Sequence, residues 1–214
     1  LKPSRIKDVA PENNPNLLVV PQILGNVAED FIFLADHLYA MGHQKINWNL
    51  GCPHSKIAKK LRGSGLLMYP DAIDRFLDTV LPKLSNTLSV KIRLGRKSKA
   101  EIHQLLPILD QYPLDEIILH PRTGEQMYTG HSDHDAFAAA VKNSRHPFVY
   151  NGDITSVHAF NQVRQFQQSI QFMERNISWL DDRAEAHYHL GVAYAFTGRY
   201  NAALQRMERV RMMG

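Results

Sequence analysis

The sequence predicts a parallel α/β fold arranged as part of a (β/α)8 barrel, followed by an all-α helical hairpin. Three observations predict it. Five short apolar runs of strand length alternate with four stretches of helical periodicity long enough to serve as crossovers. Each apolar run has polar residues near its end: Gln22, Asn49 with Cys52, Lys91 with Arg93, His120 with Arg122, and Asn151. Past Gln165 the strand signals stop and only helical ones remain. Periodicity alone permits a flavodoxin-like open sheet as readily as part of a barrel. Five consecutive polar tips facing one way favour the barrel, whose functional groups gather at the C-terminal ends of its strands.

Residues 1–16 are polar and proline-rich and read as an irregular lead-in. Leu17 to Leu24 is an apolar run that predicts a strand, although Pro21 argues against a central one. Gly25-Asn26 breaks it. Ala28 to Met41 has helical spacing, with Phe31, Leu34, Ala35 and Leu38 on one face and Gly42 as the C-terminal stop. In Lys45 to Leu50, Ile46, Trp48 and Leu50 alternate with Asn47 and Asn49, a period of two. Gly51 turns the chain and Pro53 ends any pairing, so Cys52 falls at a strand tip. Asp71 to Leu84 predicts a second amphipathic helix, entered from Pro70. Leu88 to Leu94 predicts a strand. Lys99 to Gln111 is helical in pattern despite Pro107. Glu116 to His120 predicts a strand, and Ser132 to Asn143 a helix with Ser132 as its N-cap. Pro147 to Asn151 predicts the fifth strand, closed by Gly152-Asp153.

The chain has 214 residues, 44% hydrophobic and 21% charged, an ordinary globular composition. Its single cysteine excludes an internal disulfide and suits a reducing, cytoplasmic setting. No apolar run approaches the length of a membrane span and no signal-peptide pattern is present, so no membrane partner is expected. No metal-ligand spacing stands out. The formal charge of +4 permits nucleic-acid binding without demonstrating it. The first residue is Leu1, so the chain is expected to begin inside a longer protein.

The run Asn49-Leu50-Gly51-Cys52-Pro53, then four cations between Ser55 and Arg62, then Gly63-Ser64-Gly65-Leu66-Leu67, resembles the tRNA-dihydrouridine synthases. The other strand tips match that family in order: Gln22 with Gly25-Asn26, Val90 to Gly95, His120 to Thr123, and Asn151 to Asp153. The resemblance covers about residues 17–165, within a barrel domain drawn as 1–165. It implies reduction of a tRNA uridine to 5,6-dihydrouridine with FMN as cofactor and NADPH as reductant. It implies Cys52 as the proton donor; Gln22, Lys91, His120, Asn151, Gly152 and Asp153 at the flavin; and Asn49 and Arg122 at the substrate. The family's barrel has eight strands, with a Pro-Met-x-Gly segment on the first and a Gly-Arg turn after the eighth. Neither segment occurs here, which predicts an incomplete barrel that binds FMN poorly by itself.

The proposed chemistry is consistent with the residues. Reducing the double bond of uracil needs a hydride at one carbon and a proton at its neighbour. No side chain supplies hydride, so a flavin must. A thiol of ordinary pKa is mostly protonated at neutral pH and suits the role of acid. Lys56, Lys59 and Lys60 are expected to face RNA phosphate rather than the sulfur. The target base must leave its stack to reach a barrel mouth.

Residues 166–214 resemble tetratricopeptide repeats. Leu190-Gly191, Tyr194, Gly198-Arg199-Tyr200 and Ala203 fit that pattern, and Phe166, Ile170 and Met173 recur as Tyr200, Leu204 and Met207, each 34 residues on. This segment predicts a helical hairpin with a possible protein partner. It also carries the alternative reading, a tetratricopeptide interaction module on an inactive barrel fragment.

Overall fold

The computed structural model describes residues 6–15, 17–153 and 200–213. Its strands are β1 (Gln22–Ile23), β2 (Lys45–Leu50), β3 (Thr87–Gly95), β4 (Ile117–Thr123) and β5 (Phe148–Tyr150). They form one sheet in the order β1-β2-β3-β4-β5, every neighbouring pair parallel. That order decides between the two architectures left open by periodicity. A flavodoxin-like sheet reverses its winding at a switch point, whereas strands laid down one after another in sequence order make a segment of a barrel wall.

The crossovers carry helices α1 (Ala28–Ala40), α2 (Ser55–Ala58), α3 (Pro70–Val80), α4 (Ile102–Leu109) and α5 (His134–Lys142). Each follows from local sequence. Gly42, at φ +100, lets the chain leave α1. Pro70 opens α3, which buries Ile73, Phe76, Leu77 and Val80 at helical spacing. Pro82 cannot continue that helix, so a 3-10 turn over Leu81–Lys83 replaces the last turn expected from the sequence. Another 3-10 turn, Lys99–Glu101, precedes α4. Ser98 and Glu101 form a capping box there, a Ser-x-x-Glu signal the sequence displays plainly. Pro107 sits inside α4 with its ring exposed.

Two expectations need correction. The strand predicted over Leu17 to Leu24 is only Gln22–Ile23. Pro21 has no N–H to give and offers only its carbonyl, to the Asn47 amide; Leu17 and Leu18 stay exposed. The N-cap of α5 is Asp133, whose carboxylate accepts the Ala136 N–H, and not Ser132. The hairpin predicted for 166–214 lies outside the described residues except for one helix, α6 (Tyr200–Met212).

Residues of one parity on the strands build the core. Ile46, Trp48 and Leu50 on β2, Leu88, Val90, Ile92 and Leu94 on β3, and Ile117 and Leu119 on β4 are all essentially inaccessible. They form one cluster with the apolar faces of α1, α3, α4 and α5. Trp48 is its centre. The indole stacks on Phe76 at 4.1 Å, Phe31 meets both rings edge-on, and Nε1 donates to the Gly25 carbonyl. On β1, β2 and β3 the residues of the other parity are polar, among them Gln22, Asn47, Asn49, Ser89, Lys91 and Arg93, placed side by side by the pairings Gln22↔Asn47, Asn47↔Ser89 and Asn49↔Lys91; Ile118 and Val149 continue that parity on β4 and β5. One face of the sheet is thus helix-covered and apolar, and the other, over β1 to β3, is lined with hydrogen-bonding groups.

Trp48→Ala is expected to cost about 3–5 kcal/mol of stability through the cavity it leaves. Phe33→Ala, at an exposed position on α1, is expected to stay within about 0.5 kcal/mol of wild type. Urea denaturation of the two variants checks the contrast.

Candidate active site at the strand tips

Cys52 lies just past the end of β2, half-buried, on a loop whose backbone is held from four sides. The Asn49 side chain accepts the N–H groups of Gly51 (3.0 Å) and Cys52 (2.9 Å). Arg93 Nε donates to the Gly51 carbonyl (3.0 Å). Ser64 donates twice to the Cys52 carbonyl, from its backbone N–H (3.0 Å) and from Oγ (2.9 Å). Arg96 donates to the Pro53 carbonyl (2.8 Å) and to Ser64 Oγ (3.2 Å). The glycine-rich turn lies directly against the cysteine. Gly63 has φ +56, and a Cβ there would stand 2.7 Å from the Cys52 Cβ. The loop that carries the thiol is therefore fixed by at least four residues from three segments of the chain.

The amides expected at the flavin and the substrate form one chain along the polar face. Gln22 donates to Asn47 (2.7 Å) and accepts from Asn49 (2.6 Å); Asn47 donates to Ser89 (2.9 Å). Lys91, next to Asn49 in the register, is different. It is half-buried and has no hydrogen-bond or ion-pair partner among the described residues. Burial, then the charge of Arg93, pull its pKa below the ordinary lysine value. The sequence placed Lys91 at a strand end; it stands in the middle of β3, with Arg93 two residues nearer the tip.

On β4 the ladder shifts register after His120, with Gly95 opposite Thr123, and Pro121 sits in this irregularity. Arg122 follows, almost wholly buried. Its N–H groups reach the Thr129 carbonyl, the Gly130 carbonyl, His120 Nε2 (3.1 Å) and both oxygens of Asp153 (2.8 and 2.7 Å). All five of its donors are used within the fold. Asp153, past β5 at φ +38, also accepts from the backbone and hydroxyl of Ser132. The hydrogen bond from Arg122 holds its carboxyl down at about 2. Burial, then the charges of Arg93, Lys91 and Arg122, push His120 from the ordinary 6.5 to about 4. Gly152 packs against His120 and Ser132; a Cβ there would meet Ser132 Oγ at 2.7 Å. Asn151 joins the sheet through its N–H to the Leu119 carbonyl.

The site residues expected from the sequence thus share one end and one face of the sheet. Sequence reasoning missed Ser64, Arg96 and Ser132, whose roles are contacts between loops distant in the chain. It also missed Tyr128, an exposed ring 5.3 Å from the Arg93 guanidinium and 6.3 Å from the His120 ring. Lys56, Lys59 and Lys60 are exposed on and just after α2. Among the described residues no cluster of three or more His, Cys, Asp or Glu is arranged to hold a metal. No described helix is long and apolar enough to cross a membrane.

Two outcomes follow from this geometry. Gly63→Ala combines a left-handed backbone with a steric clash at Cys52 and is expected to cost about 3 kcal/mol or more. Gly130→Ala has a similar φ of +66 but open space around it, so about 1 kcal/mol is expected. Only the Gly63 variant is expected to change the rate at which Cys52 reacts with a thiol reagent. The second outcome concerns pH. The folded pKa of His120 lies below its unfolded value, so the unfolded chain takes up the proton first and stability falls as pH drops from 6.5 to about 4. The loss is expected to be about 1–3 kcal/mol. Asp153 acts lower: its contribution is present above the ordinary carboxylate value and lost as pH falls towards 2. Urea denaturation across this range is expected to be flatter between pH 6.5 and 4 for His120→Gln than for wild type.

Comparison with known proteins identifies the family. The family described as Dihydrouridine synthase (Dus) matches residues 1–173. The tRNA-dihydrouridine synthase B of Serratia marcescens is 32% identical over 149 residues, covering 68% of this chain and 44% of that protein. That of Yersinia pestis is 31% identical over 149 residues, covering 68% and 46%. That of Pasteurella multocida (strain Pm70) is 29% identical over 153 residues, covering 71% and 46%. The chain spans under half the length of these curated relatives. With the family's match extending over most of its length, this chain belongs to the dihydrouridine synthase family.

Proposed function

We propose that the chain carries the catalytic strand tips of an enzyme that reduces uridine in tRNA to 5,6-dihydrouridine, with FMN as cofactor, NADPH as reductant and Cys52 as proton donor. The observation that carries this reading is the half-buried Lys91, which has no partner among the described residues and shares the polar sheet face with the Cys52 loop. A lysine kept in such a place fits a ligand that accepts its hydrogen bond, and the pyrimidine edge of a flavin is such a ligand. Gly152 fits the same demand, because a Cβ there would crowd Ser132 Oγ at 2.7 Å and the His120 ring at 3.3 Å. Lys91 and His120 would hold the flavin ring, and Gln22 and the Asn151-Gly152-Asp153 turn would lie beside it. Bound FMN, once reduced by NADPH, supplies the hydride.

The chain's own residues do the rest. The pinned Gly51–Pro53 backbone holds the thiol in one place, so the proton is delivered without reorganising the loop. The sulfur gives its proton to the ring carbon next to the one that takes the hydride, and solvent reprotonates it. Asn49 orients that loop through its carbonyl oxygen. Lys56, Lys59 and Lys60 would meet tRNA phosphate, as their exposure permits. A soluble cytoplasmic setting suits an enzyme of this chemistry.

Cys52→Ala in the full-length protein is expected to abolish dihydrouridine formation on unmodified tRNA while flavin absorbance is retained; normal turnover would overturn the assignment of the acid. Lys91→Ala is expected to lose flavin on dialysis. Lys60→Ala is expected to keep flavin but to bind tRNA more weakly, with a shallower salt dependence.

A further inference from the structure

We infer that Arg122, fixed by Asp153, is a positioning residue that keeps the ring proton of His120 on Nδ1, so that it presents an N–H donor to a ligand on the polar sheet face. Tautomer and orientation of a histidine are set by what its other nitrogen bonds to. Here that partner is Arg122 Nη1, 3.1 Å from His120 Nε2. A guanidinium has donors and no acceptor and does not lose its proton in proteins. Nε2 must therefore be the accepting nitrogen, which leaves the ring proton on Nδ1. Nδ1 itself has no partner among the described residues.

The arginine is itself held. Asp153 takes both ends of its fork, the Thr129 and Gly130 carbonyls take two more N–H groups, and Ser132 fixes the Asp153 carboxylate from the other side. A bidentate pair of this kind sets the plane of the guanidinium, and so the direction of the N–H aimed at His120. The surroundings work in the same sense. Arg93, Lys91 and Arg122 all oppose a second proton on the ring, Asp153 alone favours one, and the balance lies well on the neutral side. Tyr128, on the adjoining loop, lies beside the ring without a hydrogen bond to it. Arg122 thus acts through His120, in place of the direct substrate contact expected from the sequence. The identity of the ligand as FMN rests on the reading proposed above; the tautomer does not.

The test reads the two parts separately. Nitrogen-15 NMR of the histidine rings, on the chain without flavin, reports the tautomer and titration of His120, assigned with His120→Gln. Wild type is expected to show the Nδ1–H form at pH 7 and no protonation down to pH 5. Arg122→Met and Asp153→Ala are expected to shift His120 towards the Nε2–H form; the titration midpoint is expected to rise only in Arg122→Met, because Asp153→Ala removes the one charge that favours protonation. Circular dichroism establishes that each variant is folded, and Asp153→Ala, at an exposed carboxylate, decides alone if the arginine variant is not. An Nε2–H ring in wild type, or an unchanged tautomer in either folded variant, overturns the relay. FMN titration of wild type and the same variants in a chain extended to the complete barrel tests the ligand. A roughly tenfold weaker affinity in both variants is expected, the loss of about one hydrogen bond to a well-placed donor. A shifted tautomer with unchanged FMN affinity overturns service to the flavin. No FMN binding by wild type removes the flavin reading and leaves the tautomer result standing.

Discussion

Parallel pairing in sequence order constrains everything else in this molecule. Side chains on a strand alternate between faces, and the register carries that alternation unchanged from β2 to β3 and on to His120 in β4. A slip of one residue would put Trp48 among the amides and Asn49 among the helices. The apolar parity, anchored by Trp48 against Phe76 and Phe31, makes such a slip prohibitively costly. The core therefore does more than stabilise. By holding β2 and β3 in register it sets Lys91 beside Asn49, and Asn49 in turn sets the turn that carries Cys52.

The cysteine loop shows how a short irregular segment becomes rigid. Gly51–Pro53 has no ladder to satisfy its backbone, so each polar group needs a partner from elsewhere. Asn49 comes from the same strand, Arg93 and Arg96 from β3 and the loop after it, and Ser64 from the turn at Gly63. These partners also hold one another, since Arg96 reaches Ser64 and Arg93 reaches the Thr123 and Met127 carbonyls. The left-handed Gly63 is the price of bringing that turn against the thiol-bearing residue, and it is tolerable only without a Cβ.

The sequence made the elements legible, and the shared location of the residues expected at the site, because both rest on patterns that need no partner. Period-two alternation located β2, β3 and β4, and helical spacing located α1 and α3. The polar tips picked out Asn49, Cys52, Lys91, His120 and Asn151, which do share one face or end. Pairing was not legible. Nothing local says that the five donors of Arg122 would be taken up by Asp153, His120 and two loop carbonyls, for those partners lie up to 31 residues away. Ser132 and Asp133 are both good N-caps by type; the choice fell to Asp133 because Ser132 is drawn to Asp153. Pro21 shortened β1 for a reason visible in advance, a missing donor, but by an amount that depends on where Asn47 stands.

The charges at the strand tips are arranged against the stability of the bare chain. Lys91, Arg93 and Arg122 converge near a buried imidazole. Asp153 answers Arg122, Arg93 is distributed over carbonyls and the Tyr128 ring, and Lys91 is left without an anion among the described residues. The pKa values of Lys91, Arg93 and His120 all move in the direction that sheds charge, burial being the largest cause in each. A core designed only to fold would put an apolar residue or a carboxylate at position 91. A lysine there favours a ligand that brings electron-rich atoms to it, because such a ligand offsets the desolvation of the ammonium. Binding at this face then draws on repulsion present before the ligand arrives, and the neutral His120 contributes by offering a donor without adding a fourth positive charge.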